Sequence, residues 1–160
     1  MKDSHLSQLS SLPKLEEMSL DSCAVRDWSI AHFAENDFAN LTCLDLADTD
    51  ISDLGMPHLA TFNLCSLSLF YYNISDNGPR LLTGISTLEV LNLDSRDIGD
   101  EGLLHLRNLR NLKSLDFFSG RVTDIGCAHI SKIISLESLE VCGSGISDLG
   151  EFTVRGFQCI

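Results

Sequence analysis

A short apolar pattern recurs along the chain at a nearly constant spacing, and this periodicity restricts the fold more than any other feature. Segments of the form LxxLxL, or a close variant, begin at six positions: Leu15, Leu41, Leu64, Leu88, Leu112 and Leu136. The first interval is 26 residues, and the other four are 23 or 24 residues. A unit of this length cannot bury an apolar face alone, whereas stacked units form a continuous core. The periodicity therefore predicts a solenoid with one coil per repeat.

Within each repeat, two apolar spacings occur in succession. The last two leucines of LxxLxL are two residues apart, so they point to the same side of a short strand. An Ile or Val follows and turns the chain inward at Val25, Ile51, Ile74, Ile98, Val122 and Ile146. Later apolar positions have the spacing of one helix face: Phe33, Leu59, Leu82, Leu106, Ile130 and Val154, and then Phe62, Ile85, Leu109, Ile133 and Phe157. Each coil is thus predicted to contain a strand and a short helix that share one core.

An aspartate precedes the helical stretch of every repeat: Asp27, Asp53, Asp76, Asp100, Asp124 and Asp148. This position predicts an N-cap, in which the carboxylate accepts backbone N–H bonds and faces the positive end of the helix dipole. Glycine follows two residues later in five repeats, at Gly55, Gly78, Gly102, Gly126 and Gly150. A small residue there is predicted to allow close packing of the coils.

These residues carry a resemblance to a known family. The runs Ile51–Gly55, Val122–Gly126 and Ile146–Gly150 resemble the [IV]-[ST]-D-x-G motif of cysteine-containing leucine-rich repeats, and the chain is most similar to plant F-box/leucine-rich-repeat proteins. The characteristic cysteine is present only as Cys23, and no F-box segment is visible. The resemblance implies an α/β right-handed solenoid, or horseshoe, with a parallel sheet on the concave face and short helices on the convex face. It also implies an intracellular role as the substrate-recognition part of an F-box-type ubiquitin-ligase adaptor, with ligase components as partners.

The repeats are expected to form a single array over residues 1–160, with a partial repeat at 1–14 and full repeats from residues 15, 41, 64, 88, 112 and 136. Neither end has a polar cap, so we expect a fragment of a longer array. The first repeat is two residues longer than the usual 24, and the extra length predicts an outward bulge from Ala34 to Phe38.

Composition argues against several classes of function. The net charge of -12 and the scattered Lys and Arg residues argue against nucleic acid or a membrane as partner. The six cysteines form no CxxC pair, and no catalytic or cofactor-binding motif is present, so we expect neither an enzyme nor a cofactor or metal site. Four histidines, His32, His58, His105 and His129, share one slot on the helical side and are interpreted as half-exposed helix positions.

A protein partner is expected on the outward positions of the strands and the turns just beyond them. Exposed aromatic side chains next to arginine have the composition of a binding hot spot. The surrounding carboxylates favour a partner with a basic surface. The predicted partner-binding residues are Asp45, Phe70, Tyr71, Tyr72, Asp94, Arg96, Asp116, Phe118 and Glu140. The competing interpretation is that the aromatic rings only cover the sheet.

Two other roles remain open at the level of the sequence. One is a free-standing intracellular scaffold that never meets a ligase. The other is an extracellular receptor domain, for which the two Asn-x-Ser/Thr tripeptides at Asn40 and Asn73 would be glycosylation sites.

Overall fold

Short strands and short helices alternate along the chain. The computed structural model describes residues 12–35, 38–70, 73–119, 121–142 and 145–147. In chain order its elements are β1 (Glu17–Ser19), α1 (Asp27–Ala34), β2 (Cys43–Asp45), α2 (Met56–Leu59), β3 (Ser66–Ser68), α3 (Asn77–Leu82), β4 (Val90–Asn92), α4 (Asp100–Leu106), β5 (Ser114–Phe118), α5 (Asp124–Ile130) and β6 (Ser138–Cys142). Strands and helices alternate along the described residues, as the sequence predicts.

The strands form one open parallel sheet in which each strand pairs with the next strand of the sequence. The pairing keeps the repeats in step, so that Leu44, Leu67, Leu91, Leu115 and Leu139 face one another along a single row. A constant repeat length produces this register, because each coil returns the chain to the same height on the sheet. The predicted parallel sheet is confirmed.

The core lies between the sheet and the layer of helices. Alternate strand residues point into it, as the burial of Leu115 and Phe117 on either side of half-buried Asp116 shows. The predicted Ile/Val slot is buried from Val25 to Val122, and Ile146 packs against the core while half-buried. The helix-face slots are also buried in each described repeat: Phe33, Leu59, Leu82, Leu106, Ile130, Phe62, Ile85, Leu109 and Ile133. Val154 and Phe157 lie outside the described residues.

The regularly spaced aspartates do not make the contacts predicted for them. Helices α1 to α4 have no side-chain cap from the aspartate, and the cap of α5 comes from Thr123. Each described aspartate instead accepts hydrogen bonds from the next coil. Asp100 Oδ1 accepts from the backbone N–H groups of Thr123 and Gly126, both at 2.9 Å, and its Oδ2 accepts from Thr123 Oγ1 at 2.7 Å. The prediction that each aspartate caps its own helix is therefore wrong.

This inter-coil aspartate contact recurs along the solenoid. Asp27, Asp53 and Asp124 each accept from the backbone N–H and the hydroxyl of a serine in the following coil. Asp76 accepts from two backbone N–H groups and from no hydroxyl, because glycine stands at the serine position. The carboxylate reaches these donors because the first turn of each coil exposes N–H groups that have no partner within the coil. Asp148 lies outside the described residues.

The glycine slot makes room for this contact. A Cβ atom on Gly126 would lie 2.5 Å from Asp100 Oδ1 and 2.9 Å from Val122 Cγ1. A Cβ atom on Gly55 would lie 2.7 Å from Asp27 Oδ1. Both separations are shorter than van der Waals contact, so a larger residue would push the coils apart. The predicted close packing at the glycine slot is confirmed.

In the longer first repeat, the side chain of Phe38 faces inward where an outward bulge was predicted. Ala34 ends helix α1 and is half-buried, and Phe38 is buried. The Phe38 ring stacks on Phe33 with 4.0 Å between ring centroids, and Phe62 of the next repeat lies 5.7 Å from Phe33. The bulge prediction is wrong for Phe38, because burying a phenyl ring against two others is more favourable than exposing it. Residues 36 and 37 lie outside the described residues.

The helical layer consists of helices of four to eight residues. Within the described ranges, no helix is both long and apolar enough to cross a membrane. The histidine slot lies in this layer: His32 is exposed, while His58, His105 and His129 are half-buried, and a buried core residue follows each of them. The interpretation of these histidines as half-exposed helix positions is confirmed for the last three.

Candidate protein-interaction surface

The outer sheet face is the side of the sheet that points away from the core. It consists of the second, fourth and sixth residues after the first leucine of each repeat. Strand pairing aligns the fourth residues into one row: Ser19, Asp45, Ser68, Asn92, Asp116 and Glu140. In leucine-rich-repeat solenoids the strands line the horseshoe, and its concave side forms an extended binding surface.

Two phenyl rings are exposed on the outer sheet face. Phe70 directly follows Leu69 beyond strand β3 and is 39% exposed, and Phe118 ends strand β5 and is 48% exposed. Both residues occupy the sixth position of their repeats, two coils apart. Neighbouring strands are about 4.8 Å apart, so the Cα atoms of Phe70 and Phe118, two strands apart, are separated by roughly 10 Å. The prediction that both side chains are exposed on this face is confirmed.

Asp94 occupies the same position in the coil between the two phenylalanines. It is half-buried, and its carboxylate lies near the backbone N–H of Phe118 on the next strand. Burial raises the pKa of the Asp94 carboxyl, the Phe118 N–H lowers it, and the negative charge of Glu140 raises it, so that the net change is upward. The Oδ1 atom of Asp94 is buried and accepts no hydrogen bond from the described residues.

The neighbouring row adds further carboxylates. Asp116 accepts a hydrogen bond from Asn92 Nδ2 at 3.0 Å, and the Oδ1 atom of Asn92 is buried without a donor among the described residues. Burial raises the pKa of Asp116, and the charges of Glu140 and Asp94 raise it further. The structure therefore brings together five of the predicted residues, which we call the aromatic-acidic cluster: Phe70, Asp94, Asp116, Phe118 and Glu140.

The remaining predicted residues lie at the margins of this cluster or outside the described part of the chain. Asp45 is half-buried two strands away from Asn92 and accepts a hydrogen bond from Ser19 Oγ at 3.1 Å. Arg96 is exposed in the turn beyond strand β4. Tyr71 and Tyr72 lie outside the described residues, so the predicted pairing of Tyr72 with Arg96 stays a prediction.

Val90 and Asn92 also lie on the outer sheet face, although neither was among the predicted contacts. Val90 opens strand β4 and is 43% exposed, and the buried Oδ1 atom of Asn92 has no donor among the described residues. The same rule of outward strand positions identifies both residues. Selecting only aromatic and charged side chains left them out.

Within the described residues, no group of three or more His, Cys, Asp and Glu side chains is arranged to hold a metal ion. Among the described residues, Cys23, Cys43, Cys65 and Cys127 form no disulfide bond. The outer sheet face carries exposed phenyl rings and carboxylates, which can make apolar contacts and charged hydrogen bonds.

Comparison with known proteins gives the same fold. Residues 39–60 and 84–106 match a family model described as leucine rich repeat. The chain is similar in structure to internalin C2 from Listeria monocytogenes, with 21% identity and a TM-score of 0.61 over 100% of this chain and 74% of that one. It is also similar to an internalin (inlF) of the same organism, with 17% identity and a TM-score of 0.59 over 94% of this chain and 48% of that one. Comparison with curated proteins found no significant match. The chain therefore has the fold of a leucine-rich-repeat solenoid, built from an open parallel sheet and short helices.

Proposed function

We propose that the chain is a protein-interaction module that binds its partner through the outer sheet face, with the aromatic-acidic cluster at the centre of the contact. Leucine-rich-repeat proteins are generally protein-interaction modules, typically scaffolds without enzymatic activity. The observation that carries the proposal is the exposure of Phe70 and Phe118 on the same face of one sheet. Large aromatic side chains are enriched at interface hot spots, where their burial contributes most of the binding energy.

The charge of this face favours a partner with basic groups. The cluster contains three carboxylates, and the salt bridges seen within the described residues involve none of them. The whole chain has a net charge of -12, so the long-range field also attracts cations. A basic protein surface would gain both faster encounter and a charge-assisted contact at the cluster.

A more specific role is proposed on the sequence resemblance alone. The Ile/Val-Ser/Thr-Asp-x-Gly runs, such as Val122–Gly126, are similar to those of plant F-box/leucine-rich-repeat proteins. In that role the outer sheet face would bind the substrate of an intracellular ubiquitin ligase. An F-box encoded in the same gene, together with ligase subunits among the captured proteins, would support this role. Capture of a partner without them would favour a free-standing scaffold.

The binding surface is tested by affinity capture with a double variant and a matched control. The test variant is Phe70→Ala/Phe118→Ala, and circular dichroism verifies that it folds. The control is Trp28→Ala/Leu54→Ala, since these side chains are 56% and 76% exposed and belong to the helical layer or the turn before it. We expect the test variant to weaken binding of the captured partner at least about tenfold.

The control variant is expected to bind as the wild-type chain does. Equal capture by the wild-type chain and the test variant would contradict the proposed surface. Loss of capture only in the control would move the binding site to the helical layer.

A further inference from the structure

Asn77 and Gly78 form a pair whose side chain and backbone can react with each other. Asn77 is the one asparagine of the chain that glycine follows, whereas most of the others precede leucine or isoleucine. Glycine has no side chain that would hinder the approach of its backbone nitrogen to the preceding side-chain amide. Asn77 is exposed at the start of helix α3, so water reaches it. The pair is therefore a candidate site of spontaneous deamidation.

The reaction needs water and no other reactant. The Gly78 nitrogen loses its proton and bonds to the side-chain carbonyl carbon of Asn77, and the side-chain nitrogen of Asn77 leaves as ammonia. Water then opens the resulting five-membered succinimide ring at one of its two carbonyl groups. Opening at the former side-chain carbonyl gives aspartate. Opening at the main-chain carbonyl gives isoaspartate, in which the chain continues through the former side chain.

The folded coil keeps the two reacting groups apart. Asn77 has a helical backbone, in which the following N–H is directed along the helix axis and away from the attack on the side chain. The Gly78 N–H donates a hydrogen bond to the carbonyl oxygen of Ser75 at 3.0 Å. Attack requires the ψ angle of Asn77 to leave the helical range, and this hydrogen bond must break first. The reaction therefore requires the first turn of α3 to open.

An inter-coil aspartate contact holds this turn closed. Asp53 Oδ1 accepts a hydrogen bond from the Ser75 N–H at 3.0 Å, and Asp53 Oδ2 accepts one from the Ser75 hydroxyl. Ser75 Oγ also accepts a hydrogen bond from the Asn77 N–H at 3.3 Å. Asp53 of one coil thus fixes the residue that binds both members of the reactive pair in the next coil. The frequency of local opening, and with it the reaction rate, depends on this contact.

We propose that Asn77 is a deamidation site controlled by the Asp53 contact. The closed coil protects the Asn77 amide, and each opening of the first turn of α3 exposes it to attack by Gly78. Loss of ammonia makes the change irreversible. The modified fraction of the chains therefore records how often this part of the array has opened.

The two products differ in whether the turn can close again. Aspartate keeps the length of the main chain and places a carboxylate in the first turn of α3, where none is present. Isoaspartate adds one carbon atom to the main chain next to Gly78. Gly78 is buried, and a Cβ atom on it would overlap Ile74 Cγ2 and lie 3.1 Å from Asp53 Oδ1. The turn has no space for the longer main chain, so isoaspartate prevents it from closing.

The test measures deamidation of Asn77 in the full chain at mildly alkaline pH. Mass spectrometry of the peptide that contains Asn77 gives the rate, and labelling by isoaspartyl methyltransferase identifies the isoaspartate product. We expect the folded chain to react at least about tenfold more slowly than the chain unfolded in urea, because only opened molecules react. Equal rates in the two states would overturn the proposed protection.

Two aspartate variants distinguish local opening from global unfolding. Asp53→Ala is expected to accelerate deamidation about tenfold in the folded protein, because it removes two hydrogen bonds to a charged acceptor. Asp100→Ala is the matched control, since Asp100 makes three such bonds, all to the coil after α4. It is expected to keep the wild-type rate within about twofold. Equal acceleration by both variants would show that global unfolding sets the rate, which refutes control by Asp53.

Two further variants complete the test. Ser75→Ala removes the hydroxyl and keeps the backbone bond to Asp53, so it remains informative if circular dichroism shows that Asp53→Ala does not fold. We expect it to accelerate deamidation about threefold, and a wild-type rate would contradict the proposal. Asn77→Asp reproduces the aspartate product and is expected to unfold in urea at the wild-type midpoint or slightly above it. The isoaspartate form, separated by chromatography, is expected to unfold at a lower midpoint, and a midpoint equal to that of Asn77→Asp would refute the block to closing.

Discussion

The inter-coil aspartate contact gives the sharpest prediction about stability. Asp100→Ala removes three hydrogen bonds, two from backbone N–H groups at 2.9 Å and one from Thr123 Oγ1 at 2.7 Å. Each hydrogen bond to a charged acceptor contributes about 1.5–3 kcal/mol net, and the N–H of buried Gly126 and the donors of half-buried Thr123 would lose this acceptor. Some of that loss is recovered by water, because Thr123 is half-buried. We therefore expect the free energy of unfolding to fall by about 3 kcal/mol.

Two further variants test the origin of this value. Asp76→Ala removes two backbone hydrogen bonds and no hydroxyl contact, so it is expected to cost about 1 kcal/mol less than Asp100→Ala. Glu101→Ala is the matched control: it removes an exposed carboxylate from the first turn of the same helix, α4. Its expected effect is within about 0.5 kcal/mol, the usual range for exposed positions.

The assay is equilibrium unfolding in urea, followed by circular dichroism. The midpoint and the slope are both fitted, because a change of slope would indicate that part of the array unfolds separately. If Asp100→Ala costs no more than Glu101→Ala, the carboxylate acts only through the dipole of its own helix, and the inter-coil reasoning is refuted. If Asp76→Ala costs more than Asp100→Ala, the hydroxyl contact contributes nothing.

The remaining predictions concern packing and charge. Gly126→Ala places a Cβ atom 2.5 Å from the carboxylate of Asp100 in the preceding coil, and the free energy of unfolding should fall by about 2–3 kcal/mol. Gly84→Ala is the control, because its Cβ atom would lie 3.4 Å from its nearest neighbour and should change the unfolding midpoint little. Phe33→Ala removes the buried ring that stacks on Phe38 at 4.0 Å, and urea unfolding should show a loss of about 3–5 kcal/mol. The raised pKa of Asp94 means that the folded state binds its proton more tightly than the unfolded state does, so ionisation of this group lowers stability. The penalty is complete above the folded-state pKa, decreases as the pH falls below that value, and is gone below the unfolded-state pKa. Asp94→Asn should therefore raise the unfolding midpoint at neutral pH and lose this advantage at mildly acidic pH; a midpoint lowered at neutral pH would contradict the stated cause.

Much of the architecture follows directly from the sequence. Leu88, Leu91 and Leu93 identify a strand with one buried face, and the 24-residue interval to Leu112 places the next strand in the same register. The outward positions follow from the same alternation, which is why Phe70 and Phe118 could be placed on one face. These features depend only on the direction of each side chain within its own coil, which the alternation along the strand determines.

The stacking of the coils determines which polar groups and which aromatic rings come into contact. Asp100 lies as close in sequence to the N–H groups of its own helix as an N-cap does, yet its hydrogen bonds go to Thr123 and Gly126. Phe38 lies in the extra length of the first repeat, and its ring faces inward because Phe33 offers an apolar surface there. Asp94 is a polar outward residue in the sequence, but its partial burial and its closeness to the Phe118 N–H exist only once the neighbouring strand is beside it.

The sequence by itself thus determined the repeat, the sheet and the direction of each side chain. The tertiary structure alone decided the partners of the polar groups. The physical reason is that hydrogen bonds and charge effects act over a few ångströms between coils that are more than 20 residues apart in the chain.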